Sequence, residues 1–444
     1  MPSNLLETLE ARVLFAAVPV AVNPDIGGAT VTVRAPRKAA SENGPTARPF
    51  TIARTGDTST SLRVSYLVGG KARNGVHYQF VRSFALIAAG KSTVRVWVTP
   101  VDDAFPERRE AVTLTLVPRP TYELGDPWTR TIRINDNDTV TEVADRRTQI
   151  AWTNAAASPI WRCEAQKGVV DGKLYVFGGF IEGMTGAVTR SDVYDPAANG
   201  WTRLADLPTR VTHGATAIDG TKIYIAGGWV SWGVLGQQEY GTRDVWVYDV
   251  ASNTYAKGPS LPEPRGAGAM VTIGRTLHFL SGTDPARNDR TEHWVLDLDN
   301  PSTGWVSSVP VPVGRNHVAA VVVDSHIFFM GGQTGPDDLT GAQTSLFVWH
   351  PAWNQWRQLP DLPVARSHHN EATLVHRGRI ITIGGTTNGK QDLRDVAALD
   401  LRTGSWTALT PLPAGGYTGL AMIVEEVIYY TTGGASTTYR GVLT

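Results

Sequence analysis

The chain has one cysteine, Cys163, among its 444 residues. No disulfide can form within it, and cysteine usage reports nothing about compartment. No apolar run reaches the roughly eighteen residues that a membrane-spanning helix needs, so no span is expected. Charge of either sign is not in excess. The 41 basic and 41 acidic side chains cancel, and neither the first 140 residues nor the remainder carries the basic surplus of a polyanion binder. No nucleic-acid partner is expected. Helical apolar periodicity is nearly missing, and no G-x-S-x-G, H-E-x-x-H, P-loop or dinucleotide fingerprint occurs.

What the chain has instead is 45 Gly, 27 Pro and 14 Trp, a composition that suits many short strands and tight turns. Its first 22 residues are short, moderately apolar and rich in small side chains, without the basic start of an ordinary secretory signal. Within them "LEARVLFAA", Leu9 to Ala17, resembles the LEPR-type motif of exported bacterial multidomain proteins, with Ala11 where that motif has Pro. Residues 1–22 are expected to be an export-type leader. The protein is then extracellular, periplasmic or on the cell surface.

Residues 23–140 carry the runs "PFTIAR", "LRVSYLV", "STVRVWVTP", "AVTLTLV" and "TRTIRIND". Each alternates, is rich in β-branched and aromatic residues, and ends at a Gly, Pro or Asp turn, which predicts an antiparallel β-sandwich. Carboxylates gather at the strand ends: Glu42, Asp102, Asp103, Glu107, Glu110, Asp136 and Asp138. Hard oxygen ligands converging on one loop pole are what Ca²⁺ requires. The segments "ASENG", "FTIARTG", "VDDAFPERREAVTLTL", "YELG" and "IRINDND" together resemble the Calx-β domain. The resemblance implies an Ig-like sandwich with Ca²⁺ bound by those seven residues. Two positions depart from the family, His77 where it has Asp and Asn137 inside the closing acidic run.

From about residue 141 the chain repeats. Glycine pairs or near-pairs end apolar runs at Gly179, Gly228, Gly282, Gly332, Gly385 and Gly434, about fifty residues apart. Five aromatics follow, Trp201, Tyr255, Trp305, Trp356 and Trp406, each with a Pro seven residues on. A sixth such ending, Trp152 with Pro159, stands in front of the first glycine pair. Residues 141–444 thus resemble kelch repeats, which implies a six-bladed β-propeller. Its last blade takes strands a to c from residues 417–444 and strand d from about 149–153, a closure by an N-terminal strand. The whole chain is expected to be all-β.

Strand parity puts the connections between blades and the long loops after Gly228, Gly282 and Gly332 on one face. Arg162, Arg210, Arg265, Arg315 and Arg366 follow the prolines and are expected to ring the channel mouth and grip an acidic ligand. On that reading, replacing Arg210 and Arg315 by Ala abolishes binding and spares stability. His213, His317 and His369, or its neighbour His368, fall a few residues after the arginines, with Glu164 at the corresponding place in the first repeat. Spread around a mouth, they are expected to stand too far apart to share an ion, so no cofactor is expected in the propeller. Trp229, Trp232 and Tyr240 are unusual loop residues and suit a stacking platform or a protein anchor.

The expected function is therefore non-catalytic recognition of a carbohydrate or protein ligand. Oligomeric state is not legible. The alternative is an enzyme on a kelch scaffold. A likeness to sugar-acid mutarotases would employ Arg162, Glu164, His369 and Glu371, and a likeness to copper radical oxidases would need Cys163 joined to a tyrosine.

Overall fold

A computed structural model describes residues 29–72, 74, 77–101, 110–136, 145–181, 186–232, 237–335, 340–351, 354–416 and 418–444. The 1–22 leader, Asp102, Asp103, Glu107, Asn137 and Asp138 lie outside the described residues, as does the side chain of Trp232. The chain divides into two compact units, residues 1–103 with 108–137, and residues 104–107 with 138–444. Among the described residues, strands dominate and the helical pieces are single 3₁₀ turns.

The first unit is built on two sheets. One orders Thr93–Val98, Arg48–Arg54, Thr30–Arg34 and Glu123–Leu124; the other orders Ala40–Ser41, Thr129–Asn135, Glu110–Leu116, Leu62–Gly70 and Phe84–Ile87. Alternate residues such as Val31 and Val33, Phe50 and Ile52, and Val112, Leu114 and Leu116 share one core, as the period of two requires. The expectation of a purely antiparallel arrangement needs correction. Thr30–Val31 runs parallel to Glu123–Leu124, and Ala40–Ser41 runs parallel to Ile134–Asn135. The second pairing sets Glu42 beside Asn135, whose carbonyl accepts the Glu42 N–H at 3.0 Å.

Among the described residues, the second unit holds six four-stranded antiparallel sheets. The first comprises Gln166–Val170, Lys173–Phe177, Ser191–Asp195 and Gly200–Arg203; the second Ala215–Asp219, Lys222–Ala226, Val245–Asp249 and Thr254–Lys257. The third comprises Ala269–Ile273, Thr276–Leu280, His293–Asp297 and Val306–Ser307; the fourth Ala319–Val323, His326–Met330, Leu346–His350 and Gln355–Leu359. The fifth comprises Thr373–His376, Arg379–Ile383, Val396–Asp400 and Ser405–Leu409. In the sixth, Leu420–Val424, Val427–Thr431 and Thr438–Leu443 are joined by Ile150–Ala155, which pairs antiparallel with Thr438–Leu443.

The aromatic in or just before each fourth strand reaches the sheet before it. Trp201 donates to Ala156 O at 3.0 Å, Tyr255 to Ala205 O at 3.3 Å, and Trp305 to Pro259 O at 2.9 Å. Trp356 donates to Val309 O at 3.2 Å, Trp406 to Pro360 O at 3.4 Å, and Trp152 to Thr410 O at 3.3 Å. These six bonds run from sheet to sheet until they return to the first, so the sheets form a closed ring. Burying an indole is favourable only when its N–H keeps a partner, and here the partner is the neighbouring chain end.

The glycine pairs end the second strands, where the chain turns back under its neighbour. At Gly228 φ is +104°, and a Cβ would stand 2.6 Å from Thr212 O. Only glycine allows both the left-handed turn and that approach. Connections between first and second strands are two residues each, at 171–172, 220–221, 274–275, 324–325, 377–378 and 425–426. The connections after the glycine pairs are long, and bridges such as Gly266 with Thr283 and Asn316 with Gln333 hold them to the segments entering the same sheet.

Candidate functional site

Just before each first strand the chain passes through one residue with left-handed backbone. The six are Glu164 (φ 51°), His213 (56°), Ala267 (55°), His317 (48°), His368 (58°) and Thr418 (52°). None is glycine, and each such residue costs about 1 kcal/mol or more of backbone strain. What holds them there is a chain of backbone bonds. The N–H of His213 donates to Glu164 O at 3.2 Å, Ala267 to His213 O at 2.8 Å, and His317 to Ala267 O at 2.9 Å. His368 donates to His317 O at 3.3 Å and Thr418 to His368 O at 3.1 Å. One residue per sheet is thereby tied into a collar.

Four of the six side chains meet. The Nε2 atoms of His213, His317 and His368 lie 3.6, 3.7 and 3.4 Å from the Glu164 carboxylate oxygens. Single donor atoms of Glu164, His213 and His317 all fall within 4.8 Å of one another, close enough for one ion to reach all three. The Nδ1 side of each ring is held by the residue before it. His213 Nδ1 meets Thr212 Oγ1 at 2.8 Å, His317 Nδ1 meets Asn316 Oδ1, and His368 Nδ1 meets Ser367 Oγ at 2.7 Å and Thr386 Oγ1 at 3.0 Å. Asn316 is itself oriented, because its Nδ2 donates to Asp289 Oδ1 at 2.6 Å. Its Oδ1 therefore faces His317 as an acceptor. That places the ring proton on Nδ1 and the lone pair on Nε2, toward Glu164.

Aromatic rings wall the cluster. Trp229 stacks on His213 with centroids 3.6 Å apart, Phe180 meets the same imidazole edge-on, and His317 stacks on His368 at 3.9 Å. Arg287 lies over Trp229 and Tyr240. Burial holds His213 well below the ordinary imidazole range, with the His368 and Arg287 charges adding to it. Burial, and then the negative charge of Glu371, push the Glu164 carboxyl up to about 8.

The first strands of the sheets line a cavity of about 180 Å³ that includes Lys167, Asn370 and Glu371. Burial is the largest influence on both charged groups. It lowers Lys167 and raises Glu371, while their mutual attraction opposes each shift. Lys167 Nζ donates to Ala421 O at 2.7 Å, across the junction of the first and sixth sheets.

The arginines expected at the channel mouth are elsewhere. Arg162 is buried against Gly178 O, Arg190 O and the Asp192 carboxylate. Arg315, 1% exposed, donates to Gly331 O at 2.9 Å and Ser345 O at 3.1 Å. Arg366 binds Gly384 O and Asp395, and Arg265 binds Glu263 and Glu292 beneath Trp294. Four of the five therefore tie each turn to its own sheet, and they cannot grip a ligand. Arg210 alone is exposed. It is one residue out of register, since the collar residue follows the tying arginine by two positions and Val211 holds that place before His213.

The register also decides between the adjacent histidines. His368 joins the collar, whereas His369 is buried with its Nδ1 on Thr373 Oγ1 at 3.1 Å. The expectation that the histidines stand too far apart is overturned, because the left-handed turns aim them inward. Trp229 is buried on His213 and Tyr240 is half-buried against Trp229, so neither is an open platform. Cys163 is buried as a free thiol, and its backbone pairs with Phe180 in an isolated β-bridge. Arg162, engaged by Asp192, is not placed to hold a substrate carboxylate.

In the first unit, Glu42 and Glu110 are buried and Asp136 follows the strand between theirs. His77 pairs with Glu110 through Nδ1. Glu110 Oε2 is buried without a hydrogen-bond partner. A second acidic group of the ring unit, Asp145, His376 and Glu426, is met by Arg147, Arg377 and Arg379, and its carboxylates are engaged in ion pairs.

Comparison with known proteins gives this geometry a family. A family model for the KLHDC2/KLHL20/DRC7 kelch-repeats domain matches residues 256–434, and models of the kelch motif match 161–208 and 210–262. A kelch repeat-containing protein of Arabidopsis thaliana is 26% identical over 310 residues, covering 64% of this chain and 71% of its own. A kelch-like protein of Aspergillus terreus is 29% identical, covering 53% and 52%, and kelch-like protein 26 of Danio rerio is 25% identical, covering 44% and 31%. The match thus spans about half of the fungal relative and a third of the fish one. With its six repeating sheets and glycine pairs, the second unit of this chain is a run of kelch repeats.

Proposed function

We propose that the chain is a non-catalytic recognition protein whose six sheets are the blades of a six-bladed propeller and whose long-loop face binds a protein partner. The observation that carries this reading is the asymmetry of the ring. On one side, all the connections between first and second strands are two residues long. On the other, the connections after Gly228, Gly282 and Gly332 are long, differ in sequence, and expose Glu239, Pro285, Ala286 and Asn288. A repeat fold keeps its framework constant and places recognition in such loops. The burial of Trp229 favours a protein partner over a sugar stacked on that ring.

The first unit is read as a Calx-β module, and the leader as an export signal. The described donors suit a hard cation, because Glu42 and Glu110 are buried at one end of one sheet and Glu110 keeps an oxygen without a donor. Glu42, Glu110 and Asp136 would hold Ca²⁺ there, with Asp102, Asp103, Glu107 and Asp138 as the remaining candidates.

The test is photocrosslinking of the full chain, with the crosslinker placed either at Glu239 and Ala286 or at Ala197 and Ser252 in the turns of the opposite face. A partner captured only from the first pair is expected. Equal capture from both pairs overturns the reading, as does binding on a glycan array that survives Glu239→Lys with Ala286→Glu.

A further inference from the structure

The cluster inside the collar has the spacing of a metal site. An ion pair between imidazolium and carboxylate closes to about 2.7–2.9 Å. Here three Nε2 atoms surround one carboxylate at 3.4, 3.6 and 3.7 Å, too long for such bonds. Two ligands each about 2.1 Å from one ion, at a tetrahedral angle, stand about 3.4 Å apart. Glu164, His213 and His317 have the separations of ligands around a shared ion, and His368 stands beside the same carboxylate.

Three further observations bear on the same point. Each histidine is held at Nδ1 by the side chain just before it (Thr212, Asn316 or Ser367), the outer-shell arrangement that presents Nε2 to a metal. For His317 the Asp289–Asn316 relay fixes the proton on Nδ1 and turns the Nε2 lone pair toward the Glu164 carboxyl. A cation at that point would displace the carboxyl proton and bind both groups. Thr418, the sixth-sheet member of the collar, is buried with a hydroxyl that has no hydrogen-bond partner.

From this geometry we infer that Glu164, His213, His317 and His368 bind one divalent first-row transition-metal ion on the axis of the ring. Three imidazoles and one carboxylate select Zn²⁺, Fe²⁺, Co²⁺, Ni²⁺ or Cu²⁺ over Ca²⁺ and Mg²⁺, which favour all-oxygen sites. Ala267 and Thr418 contribute no charged donor from the third and sixth sheets. The site draws on the first, second, fourth and fifth sheets and so cross-links the ring at its centre. It is independent of the protein partner proposed above.

The experiment uses the full chain, stripped with a chelator and titrated with Co²⁺ in excess Ca²⁺, so that any Ca²⁺ pole in the first unit is filled. One Co²⁺ per chain is expected, with visible d–d absorption that equimolar Zn²⁺ removes. In the His213→Asn, His317→Asn double variant, at least a hundredfold weaker binding is expected. Asn tolerates the left-handed backbone, so the melting temperature reports separately on folding. Should that variant fail to fold, Glu164→Gln, equal in size, is expected to weaken Co²⁺ at least tenfold. Absence of d–d bands at millimolar Co²⁺ overturns the inference. Binding unchanged in a folded variant does so equally, because the ion then sits elsewhere.

Discussion

The arginines show how a single position decides between ligand and strut. Arg315 is buried, donates to two carbonyls and the Ser345 hydroxyl, and lies against Phe329 and Phe347. Burial lowers its guanidinium to about 10, against the weak opposing pull of Asp361. Removing it leaves carbonyls of the fourth sheet without donors, so Arg315→Ala is expected to cost about 3 kcal/mol in urea unfolding. Arg210→Ala, at an exposed side chain, should stay within about 0.5 kcal/mol of the parent. Equal, small effects would return both residues to the ligand-binding role that their place after the prolines suggests. The sequence shows an arginine after five prolines, with Arg210 two residues after its Pro and the other four three residues after theirs, a difference whose meaning only the collar reveals. His213, His317 and Glu164 were visible as equivalent positions. Their convergence was not, because left-handed backbone at a non-glycine residue leaves no mark in composition or spacing.

Among the elements, the strands of the ring were the most legible and the clasp that closes it the least. Trp152 with Pro159 announces a fourth strand displaced to the front, and Ile150–Ala155 completes the sixth sheet. What precedes that strand carries no repeat signature, yet it anchors the junction. Asp145 receives Arg147 Nε at 2.8 Å and Arg379 Nη2 at 2.6 Å, and Arg147 also reaches Glu426 between the first two strands of the sixth sheet. Burial alone would raise the Asp145 carboxyl, but the hydrogen bonds from Arg147 and the charges of Arg379 and Arg147 outweigh it and bring it down to about 2. A carboxyl lowered in the folded state contributes stability above its unfolded value of 3.8 and loses it as pH falls toward 2. Asp145→Asn leaves Arg379 buried without its counter-charge and is expected to cost about 3 kcal/mol at pH 7. The difference from the parent should shrink below pH 3. A gap that stays constant with pH would mean that packing, not charge, holds the clasp.

Burial in the ring favours the neutral form of several histidines. Outside the collar, burial and then the His293 charge lower His278 to about 3, and the two rings share a hydrogen bond of 2.9 Å. Burial lowers His293 to about 4 despite the Val309 carbonyl, and burial and then His350 lower His326 to about 4. In the unfolded chain each of these takes up a proton near 6.5. A group lowered on folding contributes stability above the unfolded value and loses it as pH falls toward the folded one. The window therefore opens below about pH 6.5 and runs down to about pH 4, well above the carboxylate range. At pH 5 each neutral buried histidine costs about 2 kcal/mol relative to pH 7. For a unit of this size the three together should lower the melting temperature on the order of 10 °C between pH 7 and pH 5. The measurement is calorimetry across that range with chelator present throughout, so that loss of an ion from the collar cannot mimic the effect. His278→Phe with His293→Leu removes two of the three titrations and should flatten the slope even if it lowers stability at pH 7. A parent melting temperature that is level from pH 7 to pH 5 would show that these rings take up protons while folded, through water reaching between the sheets.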